Sequence, residues 1–84
     1  MKDYHFSTMD IYLSAFLLIY GIQPDLKLQN ERVIFTFPAT EELYKNMMRY
    51  NSNANVHVAD FVTAVKTLRG QMLTMRGRRW NNYP

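Results

Sequence analysis

The sequence contains no cysteine. Disulfide bonds, thiolate zinc sites and cysteine nucleophiles are therefore excluded. An 84-residue chain without these must be stabilised by its hydrophobic core, and its content of 48% hydrophobic and 14% aromatic residues is sufficient for one core. We expect a single compact domain in a reducing compartment, the cytoplasm, with no cofactor.

Long hydrophobic runs are also missing. The apolar run Ile11–Tyr20 is about half the length of roughly 20 residues that a membrane-spanning helix needs. Asp10 lies directly before it, where a signal peptide would carry positive charge. We interpret the run as a core helix and expect a soluble, unprocessed protein without membrane contact.

Residue patterns typical of catalysis are scarce. The three glycines, Gly21, Gly70 and Gly77, are too far apart to form a phosphate-binding loop. Glu41 and Glu42 are neighbours on a predicted helix and therefore point apart. We expect no enzymatic activity and no small-molecule substrate.

Two histidine–acid pairs are candidates for a metal or proton-transfer site. Asp3 and His5 are at strand spacing, but two ligands without a third do not make a zinc site. His57 and Asp60 are one helical turn apart, which fits a helix start with His57 as cap and Asp60 in its first turn. We interpret both pairs as structural and assign no metal site.

The first third of the chain predicts a strand followed by a helix. Residues 4–7 are β-prone, and Ser7 with Asp10 matches a capping box, so the helix is predicted to begin at about Thr8. Gly21 favours the end of this helix, because glycine readily adopts the left-handed backbone conformation that ends many helices.

The middle of the chain predicts a hairpin and a second helix. Residues 26–29 and 32–37 are β-like and are separated by Asn30-Glu31, which indicates a tight turn. Thr40 is then the predicted cap of a helix over about 41–50.

A third helix is predicted to begin near Val58 and to run to about Met75. Apolar residues recur along one of its faces at spacings of four, three, four and three: Phe61, Val65, Leu68, Met72 and Met75. We call these five residues the seam. Core packing is the default interpretation, and Gly70 could mark where the packed part ends. If the helix protrudes beyond it, Met72 and Met75 would be exposed.

The predicted order β-α-β-β-α-α indicates an α+β fold. The hairpin forms a small antiparallel sheet, with the N-terminal segment as a possible third strand, and three helices pack against it. We predict one domain over residues 1–75 and a basic, flexible C-terminal tail over 76–84.

Charge is divided unevenly along the chain. All seven acidic residues lie in residues 1–60, together with five basic ones. The other five basic residues, Lys66, Arg69, Arg76, Arg78 and Arg79, follow without an acid among them. Such a cationic end favours an anionic partner.

Two binding hypotheses remain open. Arginines suit phosphates and aromatic rings suit bases, so the leading hypothesis is nucleic-acid binding through Lys66, Arg69, Arg76, Arg78, Arg79 and Trp80. The alternative is a protein-interaction or homodimerisation module that uses Met72 and Met75.

A pattern of core, cap and turn residues spans most of residues 4–70. Its members are Phe6, Thr8, Asp10, Gly21, Arg32, Val33, Phe35, Phe37, Tyr50, Phe61, Ala64 and Leu68. The pattern resembles a group of short bacterial and phage proteins classified as a domain of unknown function. The resemblance implies a fold and no catalytic or binding residue, and the segment from Arg76 onward lies outside it.

Overall fold

The computed structural model describes the backbone of residues 4–80 and the side chains of residues 4–77. The elements are β1 (His5–Thr8), α1 (Ile11–Ile19), β2 (Asp25–Gln29), β3 (Arg32–Pro38), α2 (Glu41–Asn51) and α3 (Val58–Trp80). The predicted α+β fold, with the order β-α-β-β-α-α, is confirmed.

The three strands form one antiparallel sheet in the order β1-β3-β2. The N-terminal segment is therefore the third strand, and Phe6 pairs with Phe37. Asn30 and Glu31 have φ angles of 52° and 67°, the left-handed values that a two-residue type I′ hairpin requires. This turn fixes the register of β2 against β3.

The sheet has one apolar and one polar face. Val33, Phe35 and Phe37 alternate along β3 and are all buried. They pack with residues from all three helices into one core: Leu13, Ala15, Leu17, Leu43, Ala64 and Leu68. The helices therefore cover the face of the sheet that these phenylalanines occupy.

The first helix begins three residues later than the sequence predicts. Asp10 is the N-cap, because its Oδ1 accepts hydrogen bonds from the amides of Tyr12 and Leu13 at 2.9 and 3.1 Å. Ser7 belongs to β1, and its Oγ lies 3.3 Å from Oγ1 of Thr36. The prediction that Ser7 caps the helix was wrong because pairing with β3 keeps this segment extended.

The other local signals act as predicted. Gly21 follows α1 with a φ of 82°. Thr40 caps α2, and its Oγ1 accepts a hydrogen bond from the amide of Leu43 at 3.0 Å. Both ends are therefore determined by nearby residues.

The third helix begins at Val58, as predicted, but extends to Trp80. Met72 packs against the core, so Gly70 does not mark the end of the packed part. The predicted boundary between residues 75 and 76 falls within this helix. Residues 81–84 of the predicted tail lie outside the described residues.

Replacing Gly70 with alanine is expected to stabilise the fold. Gly70 is exposed within α3, and an added Cβ would meet nothing within 4 Å. Since glycine inside a helix is about 1 kcal/mol less favourable than alanine, the free energy of unfolding should rise by about that amount in urea denaturation. Gly21→Ala is the control, and it should destabilise because its φ of 82° disfavours alanine. A loss of stability in Gly70→Ala would contradict this account of α3.

Among the described residues, no helix is both long enough and apolar enough to cross a membrane.

Candidate functional site

The last helix presents a row of cations to solvent. Lys66, Arg69 and Arg76 are all exposed. Their spacings of three and seven place them within about 80° of one another around the helix axis, and Lys66 and Arg76 are about 15 Å apart along it. No acidic residue follows Asp60 in the sequence. This part of the surface is therefore positive.

Two apolar side chains share this face. Val62 is 43% exposed and Leu73 is 62% exposed. With the three cations they form a row at spacings of four, three, four and three, which we call the basic stripe: Val62, Lys66, Arg69, Leu73 and Arg76. Each member follows a residue of the seam by one position. Packing of the seam therefore holds the adjacent stripe toward solvent.

The seam itself belongs largely to the core. Leu68 is fully buried, and Phe61, Val65 and Met72 are partly buried against the core. Met75 is half-buried beside Leu26 of β2. The default interpretation of core packing therefore applies to Met72, and neither methionine has the exposure expected if the helix end protruded, because β2 lies beside this part of α3. Leu73 is the strongly exposed apolar residue in this region.

Arg78, Arg79 and Trp80 continue the helix in their backbone. Their side chains lie outside the described part of the structure, so their roles in binding stay predictions. Because the backbone remains helical, this segment is a direct extension of the element that presents the basic stripe.

The two histidine–acid pairs occupy separate places. Asp3 lies outside the described residues, and His5 is exposed on β1. His57 and Asp60 are exposed and line an open pocket of about 450 Å³ at the start of α3. The backbone carbonyl of His57 accepts a hydrogen bond from the amide of Phe61 at 3.0 Å, as expected at a helix start. Within residues 4–80, no group of three His, Cys, Asp or Glu residues could hold a metal ion.

An arginine–aromatic cluster, which no pattern in the sequence indicates, joins α1 to α2. Arg49 donates a hydrogen bond from Nη2 to the Tyr20 hydroxyl at 3.0 Å, and its guanidinium carbon lies 4.6 Å from the centroid of that ring. Arg49 Nη1 also donates to Oδ1 of Asn46 at 3.3 Å. Phe16 lies between Tyr20 and Tyr50, with centroid distances of 5.1 and 5.4 Å. Arg49 therefore has a packing role.

The pKa of Tyr50 is raised above its ordinary value of 10.0, first by burial and then by the negative charge of Asp10 and by Tyr12. A raised pKa in the folded state favours the protonated phenol. The resulting stabilisation is fully present below pH 10 and is lost as the pH rises through the folded-state pKa. Tyr50 is therefore neutral at physiological pH.

These features describe a small α+β domain whose long last helix presents a cationic, partly apolar stripe. The chain belongs to the family of the domain of unknown function DUF5659, whose model matches residues 3–74. The matched region includes Lys66 and Arg69 and ends before Arg76. No curated protein and no solved structure matches the chain.

Proposed function

We propose that this protein is a small, non-enzymatic module that binds nucleic acid through α3. The observation that supports the proposal is the exposure of Lys66, Arg69 and Arg76 on one face of a single helix. We propose that Arg78, Arg79 and Trp80 extend this contact with the nucleic acid. Lysine and arginine neutralise phosphates and release counterions, which supplies most of the affinity of sequence-independent binding.

The charge distribution would orient the protein on a polyanion. The first sixty residues contain seven acidic and five basic residues, so they are slightly negative. The positive stripe therefore faces the nucleic acid while the rest of the domain is weakly repelled. Such a distribution favours one docking face over nonspecific coating of the whole surface.

The contact is proposed to be to the phosphate backbone. Phe61 is the aromatic residue among the described side chains of α3, and it is half-buried with its ring stacked on Tyr12 at 6.4 Å. It cannot offer its face to a base without leaving that contact. The described part of the stripe thus offers charge without a stacking platform, a combination that positions a protein without reading sequence.

Titration of labelled nucleic acid with the full-length protein tests the proposal. We expect binding at low salt to a single strand and to a duplex, with little dependence on base sequence. Polyglutamate of matched charge is a control for general anion binding and should compete less well than nucleic acid. Failure to bind strands of any length at low salt would refute the proposal.

The cytoplasm is the proposed location, since nucleic acid is accessible there and the chain has no cysteine to form disulfides. A bacterial or phage source stays a prediction from the resemblance. Met72 packs against the core, so we do not propose the alternative interaction surface at Met72 and Met75.

A further inference from the structure

Strand β2 has an outer edge that no other strand covers in the described part of the chain. It is the last strand in the order β1-β3-β2. The two-residue turn makes Gln29 and Arg32 a hydrogen-bonded pair, and such pairs alternate along an antiparallel ladder. The peptide groups of Leu26 and Leu28 therefore point away from β3. They are available to a further strand.

The charges of β2 select one register for pairing with a second copy. Asp25 and Lys27 are both exposed on the face of the sheet opposite the helices. In an antiparallel pair centred on Leu26, each Asp25 lies opposite Lys27 of the second copy. A pair centred on Lys27 would instead place two lysines opposite each other, which is unfavourable.

The Leu26-centred register also pairs the outward-facing backbone groups of Leu26 and Leu28, except for the carbonyl of Leu28. Each Leu26 exchanges amide and carbonyl hydrogen bonds with Leu26 of the second copy, and each Leu28 amide meets the carbonyl of Pro24. Since proline has no N–H, the ladder ends there. The free edge is thus long enough for a short, defined pairing.

There is space for the second copy beside the strand. A groove of about 550 Å³ separates β2 from α3. Leu26 lines one side of it, and the other side includes the small residues Thr67, Gly70 and Thr74 of α3. Leu26 of a second copy would lie in this groove beside its counterpart. Apolar contact would then add to the backbone pairing.

We propose that this chain forms a homodimer in which the two β2 strands pair antiparallel about Leu26. The result is a continuous six-stranded sheet with the helices of both copies on one face. The basic stripe is on another side of α3 from the residues that line the groove, so the dimer and the nucleic-acid proposal are independent.

Sedimentation equilibrium from micromolar to millimolar concentration tests the dimer. The wild-type chain should show a concentration-dependent dimer. Asp25→Lys and Lys27→Glu should each weaken it by about tenfold or more, because each creates two like-charge pairs across the interface. An equimolar mixture of these two variants should recover dimer, since the heterodimer restores both opposite-charge pairs. Lys45→Glu, an equal charge change on α2, is the control and should have no effect.

Circular dichroism of the variants verifies that each is folded, as expected for substitutions at exposed positions. Amide exchange gives a second measurement: the Leu26 and Leu28 amides should gain protection as the concentration rises. A wild-type chain that is monomeric at every concentration would overturn the proposal. The proposal would also be overturned if neither Asp25→Lys nor Lys27→Glu weakened the dimer, or if the mixture of the two variants did not recover dimer formation.

Discussion

Replacing Phe35 with alanine is expected to lower the free energy of unfolding by about 3–5 kcal/mol. Phe35 is fully buried in the central strand, where it pairs with Thr8 on one side and Leu26 on the other. Its removal leaves a cavity between the sheet and the helices. Since small domains are stable by about 5–15 kcal/mol, much of that margin would be lost. Urea denaturation followed by circular dichroism measures the change.

Tyr4→Ala is the matched aromatic control for Phe35. The Tyr4 side chain is 66% exposed, so its truncation should change stability by about 0.5 kcal/mol or less. Equal effects of the two substitutions would contradict the placement of the core between β3 and the helices.

Neutralising Arg69 and Arg76 together is expected to weaken nucleic-acid binding and its dependence on salt. Each phosphate contact contributes about −0.7 to −0.9 to the slope of log affinity against log salt concentration. The Arg69→Gln/Arg76→Gln variant should therefore have a slope shallower by about 1.4–1.8. Substitution is preferable to truncation after Met75, because truncation would cut through α3.

The matched control for this variant is Arg32→Gln/Lys45→Gln. It removes the same charge from two exposed positions on β3 and α2. Its slope should stay close to that of the wild type. If both double variants lose affinity equally, binding depends on net charge, and the assignment of the site to α3 is wrong.

Much of the fold could be predicted because its signals are local. Thr40 caps the helix that follows it, and Asn30-Glu31 forms the turn between adjacent strands. Asp10 was recognised as part of a cap but was given the wrong role. Ser7 suits both a helix cap and a strand. It belongs to a strand because it pairs with Thr36, which is distant in sequence.

The features that the sequence did not predict are nonlocal. Core packing was the default interpretation of the seam, but whether it extends past Gly70 to Met72 and Met75 was left open, because this depends on how β2 and the core pack beside α3. The contact between Arg49 and Tyr20 spans 29 positions and follows no periodic pattern. The end of α3 was predicted too early, because the apolar periodicity stops at Met75 while the helical backbone continues to Trp80.

The candidate site was easier to predict than its environment. The charge division is visible in the sequence, so Lys66, Arg69 and Arg76 were identified there. Their common exposed face depends on how the helix is rotated against the core, and packing of Leu68 determines that rotation. Exposure of Leu73 within the stripe follows from the same rotation.

The salt dependence of nucleic-acid binding by the wild-type protein tests the central claim most directly. Contacts by Lys66, Arg69 and Arg76 alone predict a slope of log affinity against log salt concentration of about −2.1 to −2.7. Participation of Arg78 and Arg79 would make the slope steeper, about −3.5 to −4.5. The predicted result is a slope between about −2.1 and −4.5 that becomes shallower in the Arg69→Gln/Arg76→Gln variant. Binding that does not change with salt, or no binding at low salt, would contradict the account.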